Sequence, residues 1–346
     1  MAPWLSKAGL DVSLICEDHP ANHAEAERSS LRMFTYESGS FLSESSAKRM
    51  LVEECSPDIL HICGLGWRNF MSTCGVRRSY CIMDHVEQES VLEGTTLIWR
   101  SAQRLLEEVS KRCYHGSAAA SLTLTRFLNA SKSRPVEYLP YGAEPIRRDL
   151  LEANSPISKR WALTKYALFA GGFYKNYGIW DLLSAAALMQ AAVPDFQLCL
   201  LGRGPEEHLM RQWIYDRNLT SKIIICGYVQ DSELTQLLCG ANALIAPLND
   251  TRADWARCPS KIPLYMMSDR PIVTCRIGEA WEYLGDAGFY YSPGNVGSLV
   301  QVLTSLWKLP PFHPNYANES YTWQRLTERY LRFWTPIWRD YNIPYV

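Results

Sequence analysis

The most informative candidate for chemistry is a lysine at the predicted start of a helix. In the segment CPSKIPLYMM, residues 258–267, Ser260 is a natural N-cap, so Lys261 falls in the first helical turn. A lysine there opposes the helix dipole by a few tenths of a kcal/mol to about 1 kcal/mol unless an anion lies nearby. The segment therefore predicts a binding site for an anion such as phosphate. A lysine that only reaches into solvent would give the same pattern.

A glycine-bearing loop earlier in the chain could bind the same kind of ligand. Gly171 and Gly172 follow an apolar run, and Lys175 and Asn176 lie in the loop before a predicted helix that begins near Gly178. Glycines let backbone N–H groups approach a ligand closely, and the start of a helix adds unpaired N–H groups and a positive dipole end. The loop suits phosphate, although an ordinary strand-to-helix turn would explain the glycines equally well.

Two further turns follow apolar runs. Arg203 lies in the turn GRGP, residues 202–205, where it could contact a ligand or be a solvated surface charge. Gly227, Tyr228 and Val229 follow the next apolar run. An aromatic residue and a valine after a glycine could flank a nucleobase, or they could be ordinary core.

Composition limits the classes of protein. At 346 residues the chain is long enough for two domains, and two domains imply a cleft. The formal net charge of −1 argues against a nucleic-acid-binding protein. The eleven cysteines are scattered without a CxxC pair, which favours buried reduced thiols over a metal site or a disulfide scaffold. With no pattern of a signal peptide or membrane-spanning helix, the sequence predicts a cytoplasmic protein with at most peripheral membrane contact.

Secondary-structure elements must position these residues. Along the chain, short runs rich in β-branched and apolar residues alternate with segments that have the periodicity of a helix, and this pattern predicts α/β domains with parallel sheets. The sequence predicts strands at Asp11–Cys16, Asp58–Cys63, Ser79–Met83, Ala167–Ala170, Gln197–Leu201, Lys222–Cys226, Ala243–Ala246 and Pro271–Thr274. The polar, proline-bearing stretch 141–160 is predicted to be a linker, which gives domains 1–145 and 146–325 and a helical tail 326–346 interrupted by Pro336. The chain opens on a helix-like segment, so the usual first strand of the N-terminal domain is predicted to be missing.

In this order and spacing, the segments resemble the nucleotide-sugar domain of the family 4 glycosyltransferases, of the type called glycosyl transferases group 1. The match covers roughly residues 165–295, in "KNYG…LL", "LLGRGPEEHL", "GYV…ELTQLLCGANALIAP", "PSKIPLYMMSDRPIV" and "GEAWEYLGDAGFYYSPGN". The N-terminal half is similar more faintly, in "LSKAGLDVSLI", "PDILHICG", "IMDH" and "YLPYGAEP". The resemblance implies the GT-B fold, with two Rossmann-like domains facing a cleft and a C-terminal helix packing back on the N-terminal domain.

The resemblance also implies an activity. A sugar would move from a nucleotide diphosphate sugar to a sugar, lipid-linked or other hydroxyl acceptor, with retention at the anomeric carbon and without a metal or other cofactor. Such a reaction belongs to the biosynthesis of polysaccharides or glycoconjugates. The N-terminal domain would bind the acceptor and the C-terminal domain the donor.

The resemblance implies roles for the residues that stand at the family's motif positions. Lys261 matches a phosphate-contacting lysine, and His85 with Asp84 matches a loop that faces the acceptor sugar. These three residues are the predicted catalytic set. The predicted donor-binding set is Gly171, Gly172, Lys175, Asn176, Arg203, Gly227, Tyr228, Val229, Pro259, Ser260 and Glu282, with no metal ligands.

The chain departs from the family pattern at two acidic positions. Leu264 stands where the family has a glutamate that holds the donor ribose, and an earlier family glutamate falls near Ala256, with Asp254 the nearest acid. These departures leave open a catalytically degenerate GT-B protein that acts as a binding or scaffold partner. An epimerase-like hydrolase of nucleotide sugars is a second alternative.

Overall fold

The chain folds into two compact units. The computed structural model describes residues 1–91, 96–130, 134–146 and 160–341. Unit 1 comprises Met1–Tyr141, Ala256–Cys258 and Trp323–Val346, and unit 2 comprises Gly142–Trp255 and Pro259–Thr322. Most of the predicted linker, residues 147–159, lies outside the described residues.

Unit 1 contains two parallel sheets, one of β1 and β2 and one of four strands in the order β3-β4-β5-β6. The strands span Ser13–Glu17 (β1), Arg32–Tyr36 (β2), Ile59–Cys63 (β3), Tyr80–His85 (β4), Gly116–Ala119 (β5) and Val136–Tyr138 (β6). Its helices before residue 141 span Ala2–Lys7 (α1), Pro20–Ser29 (α2), Phe41–Cys55 (α3), Trp67–Thr73 (α4), Leu97–Cys113 (α5) and Leu122–Asn129 (α6). The helix-like opening is confirmed as α1.

Unit 2 contains one parallel six-stranded sheet in the order β12-β11-β10-β7-β8-β9. The strands span Tyr166–Ala170 (β7), Gln197–Leu201 (β8), Ile223–Gly227 (β9), Ala243–Ala246 (β10), Ile272–Thr274 (β11) and Phe289–Tyr290 (β12). The helices span Ile179–Ala192 (α7), Glu207–Asp216 (α8), Asp231–Gly240 (α9), Arg252–Ala256 (α10), Lys261–Met266 (α11), Glu279–Leu284 (α12) and Val296–Trp307 (α13), with α10 ending at the border with unit 1.

The order of strands in unit 2 reverses at β7. The chain runs from β7 to β8 and β9 on one side, then returns to place β10, β11 and β12 on the other. In open α/β sheets the crevice at such a reversal, outside the carboxyl ends of the strands, is where ligands bind. The loops after β7 and β10 are therefore the first place to look for a site.

The last helix, α14 (Trp323–Asp340), corrects one prediction. The sequence predicts that Pro336 interrupts it, yet the helix continues through the proline. Proline removes a backbone hydrogen bond and crowds the preceding turn at a cost of about 3 kcal/mol. Trp334 and Trp338 flank Pro336 and are buried against Tyr80 and Leu139 of unit 1, and this apolar packing offsets the cost. The predicted packing of the C-terminal helix on the N-terminal domain is confirmed.

Ser260 occupies the N-cap position of α11, as the sequence predicts, but it does not cap the helix through its side chain. The Ser260 side chain makes no capping hydrogen bond, because its backbone already has helical angles instead of the extended conformation of an N-cap. Helix α9 is capped by Gln230, and the Glu233 carboxylate accepts a hydrogen bond from the Gln230 amide at 3.2 Å.

Candidate functional site

Three glycine-bearing turns lie side by side at the carboxyl ends of β7, β8 and β9. The Gly171 amide donates to the Leu201 carbonyl at 2.9 Å, and the Gly202 amide donates to the Gly227 carbonyl at 2.8 Å. The Phe173 amide adds a hydrogen bond to the Arg203 carbonyl at 3.0 Å. The predicted turns are thus brought together, and their backbones are bonded to one another.

Close packing explains two of these glycines without a ligand. At Gly202, where φ is +131°, a Cβ would overlap the carbonyl oxygen of Gly171. At Gly204 a Cβ would overlap the backbone of Phe173. These residues are glycine because the two loops approach closely.

Gly171 has a different neighbour. A Cβ there would lie 2.9 Å from the Nζ of Lys261, which also lies 4.2 Å from the centre of the Phe169 ring. The structure therefore brings the predicted phosphate-binding lysine against the first glycine of the predicted phosphate loop. The ammonium group of a half-buried lysine, beside a turn at the sheet's reversal point, is suited to an anion.

Other predicted donor-site residues surround this pair more loosely. Lys175, Asn176 and Arg203 are exposed, and the Asn176 carbonyl accepts a hydrogen bond from Asn249 at 2.7 Å. Tyr228 is 77% exposed, so it is not ordinary core. Gly172 packs against Tyr174, Val229 is half-buried, Pro259 is buried and Ser260 is exposed.

The acidic residues of this region differ in burial. Glu282, the predicted donor contact, is exposed, whereas Glu279 in the same helix is 1% exposed. Glu279 follows Gly278, whose positive φ of +46° turns the chain against the Trp255 carbonyl. Asp254 is buried and accepts a hydrogen bond from Thr251 at 2.9 Å. The sequence analysis missed Glu279, for which the signal was a Gly-Glu pair after a buried strand.

The two departures from the family pattern have different surroundings. Leu264 is half-buried in α11. Ala256 is fully buried in unit 1, where it packs against Leu124 and Leu128, and its carbonyl accepts a hydrogen bond from Ser121 at 2.5 Å. Position 256 therefore contributes to packing.

Asp84 and His85 end strand β4 in unit 1. His85 is 3% exposed, and its Nε2 has no hydrogen-bond partner among the described residues. Desolvation lowers the pKa of His85 to about 4, against the opposing effect of the Asp84 carboxylate. The imidazole is therefore neutral near pH 7, and it is shielded from solvent in this conformation.

Asp84 also belongs to a group of possible metal ligands. His61, Cys63 and Asp84 each offer one ligand atom, and these atoms lie within 4.8 Å of one another. The sequence analysis expected no metal ligands because no single short segment carries such a cluster. The structure brings three such side chains together from two neighbouring strands, whereas the expectation that no metal is bound stays a prediction.

Among the residues that the structure describes, no helix is long and apolar enough to cross a bilayer.

Comparison with known proteins identifies the segment that contains the glycine turns. Residues 164–308 match the model of the family described as Glycosyl transferases group 1. This segment is a glycosyltransferase domain, and it contains every residue of the predicted donor-binding set. The predicted family and enzyme class, a glycosyltransferase, are confirmed at this level, while the family 4 subclass stays a prediction. Comparison with curated proteins gives no significant match.

Solved structures show the same fold over nearly the whole chain. A glycosyltransferase from Rickettsia africae ESF-5 has a TM-score of 0.70 at 13% identity, covering 98% of this chain and 92% of that one. A sucrose-phosphate synthase from Thermosynechococcus elongatus has a TM-score of 0.70 at 15% identity, covering 99% and 90%. Anabaena HepE, in complex with UDP and glucose, has a TM-score of 0.68 at 14% identity, covering 99% and 93%. The predicted α/β GT-B fold is confirmed.

Proposed function

We propose that the protein transfers a sugar from a nucleotide diphosphate sugar to a hydroxyl of a carbohydrate or lipid-linked acceptor. The observation that carries the proposal is the Lys261 ammonium group against Gly171, at the reversal point of the unit 2 sheet. Anabaena HepE, which has the same fold, was solved with UDP and glucose, and this supports a nucleoside diphosphate as the ligand to test. The setting that we propose is polysaccharide or glycoconjugate biosynthesis in the cytoplasm.

The main chemical task is to stabilise a departing diphosphate. We assign this task to Lys261 and to backbone amides of the Gly171–Gly172 turn, with Lys175, Asn176, Arg203 and Ser260 at the periphery. Tyr228 and Val229, with the Gly227 turn, would contact the base, and Pro259 would shape the turn before Lys261. Protein groups then carry the charge, so the proposed reaction needs no metal and should survive EDTA.

In the proposed retaining reaction, the bond between the sugar's anomeric carbon and the diphosphate breaks while the acceptor oxygen bonds on the same face. The departing diphosphate takes the proton of the acceptor hydroxyl, so no separate base is required. In unit 1, the neutral imidazole of His85 would orient the acceptor sugar through a hydrogen bond, with Asp84 as its neighbour. Reaching Nε2 requires displacement of the atoms that cover it, because His85 is buried.

Binding calorimetry with Lys261→Ala tests the donor site. We expect one of UDP, GDP or ADP to bind more tightly than its nucleoside. Lys261→Ala should lower the affinity for that diphosphate about 10- to 100-fold, since a hydrogen bond to a charged group is worth about 1.5–3 kcal/mol. The affinity for the nucleoside should change by less than about twofold, because the nucleoside carries no phosphate.

Lys165→Ala is the matched control. Lys165 is an exposed lysine that directly precedes β7, at the opposite end of the strand, and pairs with Asp195. Its replacement should leave diphosphate affinity unchanged. Equal losses of diphosphate and nucleoside affinity in Lys261→Ala would remove Lys261 from the phosphate site.

A second candidate function is that of a GT-B protein without transfer activity. The specific observation is Leu264 at the position of the family's ribose-holding glutamate, together with the packing role of Ala256. Product analysis with labelled nucleotide sugars separates the cases: transfer to an acceptor supports the first proposal, and donor binding without turnover supports the second. Release of free sugar without an acceptor would indicate a hydrolase.

A further inference from the structure

The carboxyl ends of β3 and β4 place three different metal-ligating side chains on one face of the unit 1 sheet. His61 and Cys63 are two residues apart on β3, so their side chains point to the same face. Asp84 is the register partner of Cys63 on the parallel strand β4 and therefore faces the same way. Their ligand atoms converge to within 4.8 Å.

Hydrogen bonding within the protein leaves this cluster incompletely satisfied. The Nδ1 of His61 is 3.0 Å from the Tyr330 hydroxyl, which fixes the ring so that Nε2 faces Asp84. Nε2 lies 3.5 Å from Asp84 Oδ2, which is long for a hydrogen bond. The other carboxylate oxygen of Asp84, Oδ1, is buried and accepts no hydrogen bond from the residues that the structure describes. A buried carboxylate oxygen without a partner is costly, and a cation between these groups would remove that cost.

Asp84 brings a carboxylate to the cluster, and other ionisable groups interact with it. Asp84 interacts electrostatically with Glu137, which Arg329 also contacts electrostatically, and desolvation, followed by Asp84, raises the pKa of the Tyr141 hydroxyl. A divalent cation would therefore be attracted by the Asp84 carboxylate and, once bound, by the Cys63 thiolate.

We propose that His61, Cys63 and Asp84 bind one thiophilic divalent cation, Zn²⁺, through Nε2, Sγ and a carboxylate oxygen. A mixed set of imidazole, thiolate and carboxylate ligands suits Zn²⁺, whereas Mg²⁺ and Ca²⁺ prefer oxygen alone. Three protein ligands leave a fourth position for water. The thiol gives its proton to solvent as the Zn–S bond forms.

The observed spacing needs only a small adjustment. Ligand atoms around a tetrahedral Zn²⁺ lie about 3.4–3.8 Å apart, and Cys63 is exposed, so its side chain can rotate to close the remaining distance. The Tyr330 hydroxyl would then be the outer partner that orients the liganding imidazole. A bound ion would occupy Asp84, to which the proposed function gives an acceptor role, but the binding itself does not depend on that function.

Titration of the full-length, reduced protein with Zn²⁺, in competition with a chromophoric chelator, tests the site. We expect one tight site per chain in the wild type. Cys63→Ser should weaken it by about 100-fold or more, and Tyr330→Phe by about 10- to 100-fold, because outer partners of ligands contribute that much to metal affinity. Replacing Zn²⁺ by Co²⁺ should give a thiolate-to-metal charge-transfer band that is absent in Cys63→Ser.

Cys113→Ser is the matched control. Cys113 is also exposed in unit 1, and its thiol is hydrogen-bonded to Cys74; neither cysteine belongs to the group of three ligands. This variant should keep both the tight site and the Co²⁺ band. Far-UV circular dichroism confirms that each variant is folded. Tight binding that survives in Cys63→Ser, or that disappears in Cys113→Ser, would overturn the proposal, as would wild-type affinity no tighter than that of Cys63→Ser.

Discussion

Polar groups gather at the carboxyl ends of the parallel strands in both units, but the two units build these ends differently. In unit 2, three turns are joined through their backbones, and one lysine enters beside Gly171. In unit 1, the end of β4 carries the carboxylate of Asp84 and the buried imidazole of His85, each with a polar atom that has no hydrogen-bond partner among the described residues.

This difference determines what each region is sensitive to. A backbone site has no titratable atoms of its own, so it responds to added side-chain volume more than to pH. A site of buried side chains responds to protonation, because burial shifts pKa values and ties stability to pH. The variants described next separate these two kinds of sensitivity.

The largest expected effect is on the packed turns of unit 2. Gly202→Ala should lower the free energy of unfolding by more than about 4 kcal/mol, since its Cβ overlaps the Gly171 carbonyl oxygen and neither backbone can yield cheaply. Gly227→Ala is the matched control, because its φ is +74° but, apart from its chain neighbours, no described residue has an atom within 4 Å of a Cβ placed there. It should cost about 1–2 kcal/mol from backbone strain alone. Urea denaturation measures both, and similar losses would mean that the turns are not closely packed.

The next effect concerns Glu137 in unit 1. This carboxyl accepts a hydrogen bond from the Trp334 indole at 2.5 Å, and desolvation raises its pKa to about 7. Because its pKa is raised on folding, its protonated form stabilises the protein at low pH, and that contribution is lost as pH rises from about 4.5 through 7. His85 acts in the opposite sense: its pKa is lowered to about 4, so stability is lost as pH falls from 6.5 toward 4.

Glu137→Gln should remove the loss of stability with rising pH that the Glu137 carboxyl causes. Between pH 4.5 and 7, the stability of the variant relative to wild type should rise by about 3 kcal/mol. Urea midpoints across this pH range measure the change. His85→Gln is the control, and its stability relative to wild type should instead rise as pH falls. This variant lacks the imidazole whose protonation destabilises the fold at low pH. A constant difference between Glu137→Gln and wild type would mean that Glu137 titrates alike in the folded and unfolded chain.

The smallest effect is expected at Leu264 in unit 2. Because this side chain is half-buried, Leu264→Glu should cost only about 1 kcal/mol of stability, as the carboxylate can reach solvent. If the donor site is as proposed, the new carboxylate should also tighten nucleoside diphosphate binding by offering the ribose an acceptor. Leu264→Gln controls for the loss of apolar surface. A large fall in melting temperature with no gain in affinity would mean that position 264 serves packing and that the proposed donor site is wrong.

The sequence alone determined the strands that are apolar throughout. β7, β8, β9 and β10 were each predicted to within one residue at either end, because strands of a parallel sheet are buried on both faces and read as continuous apolar runs. The glycine turns and Lys261 were also recognisable, since a glycine after such a run and a lysine at a helix start are local signals. By contrast, β5 has the sequence GSAA and was missed, because its small residues carry no strand signal and only its place between β4 and β6 makes it a strand.

Tertiary structure decided which of these local features meet. Lys261 lies against Gly171 although 90 positions separate them in the sequence, and Cys63 lies beside Asp84 because of the register between two strands. It also decided that α14 continues through Pro336, where buried tryptophans offset a local cost. Periodicity and turn residues act over a few positions and can be read along the chain. The register between strands and the packing of a core depend on residues far apart in sequence, so contacts within a site become visible only in the folded protein.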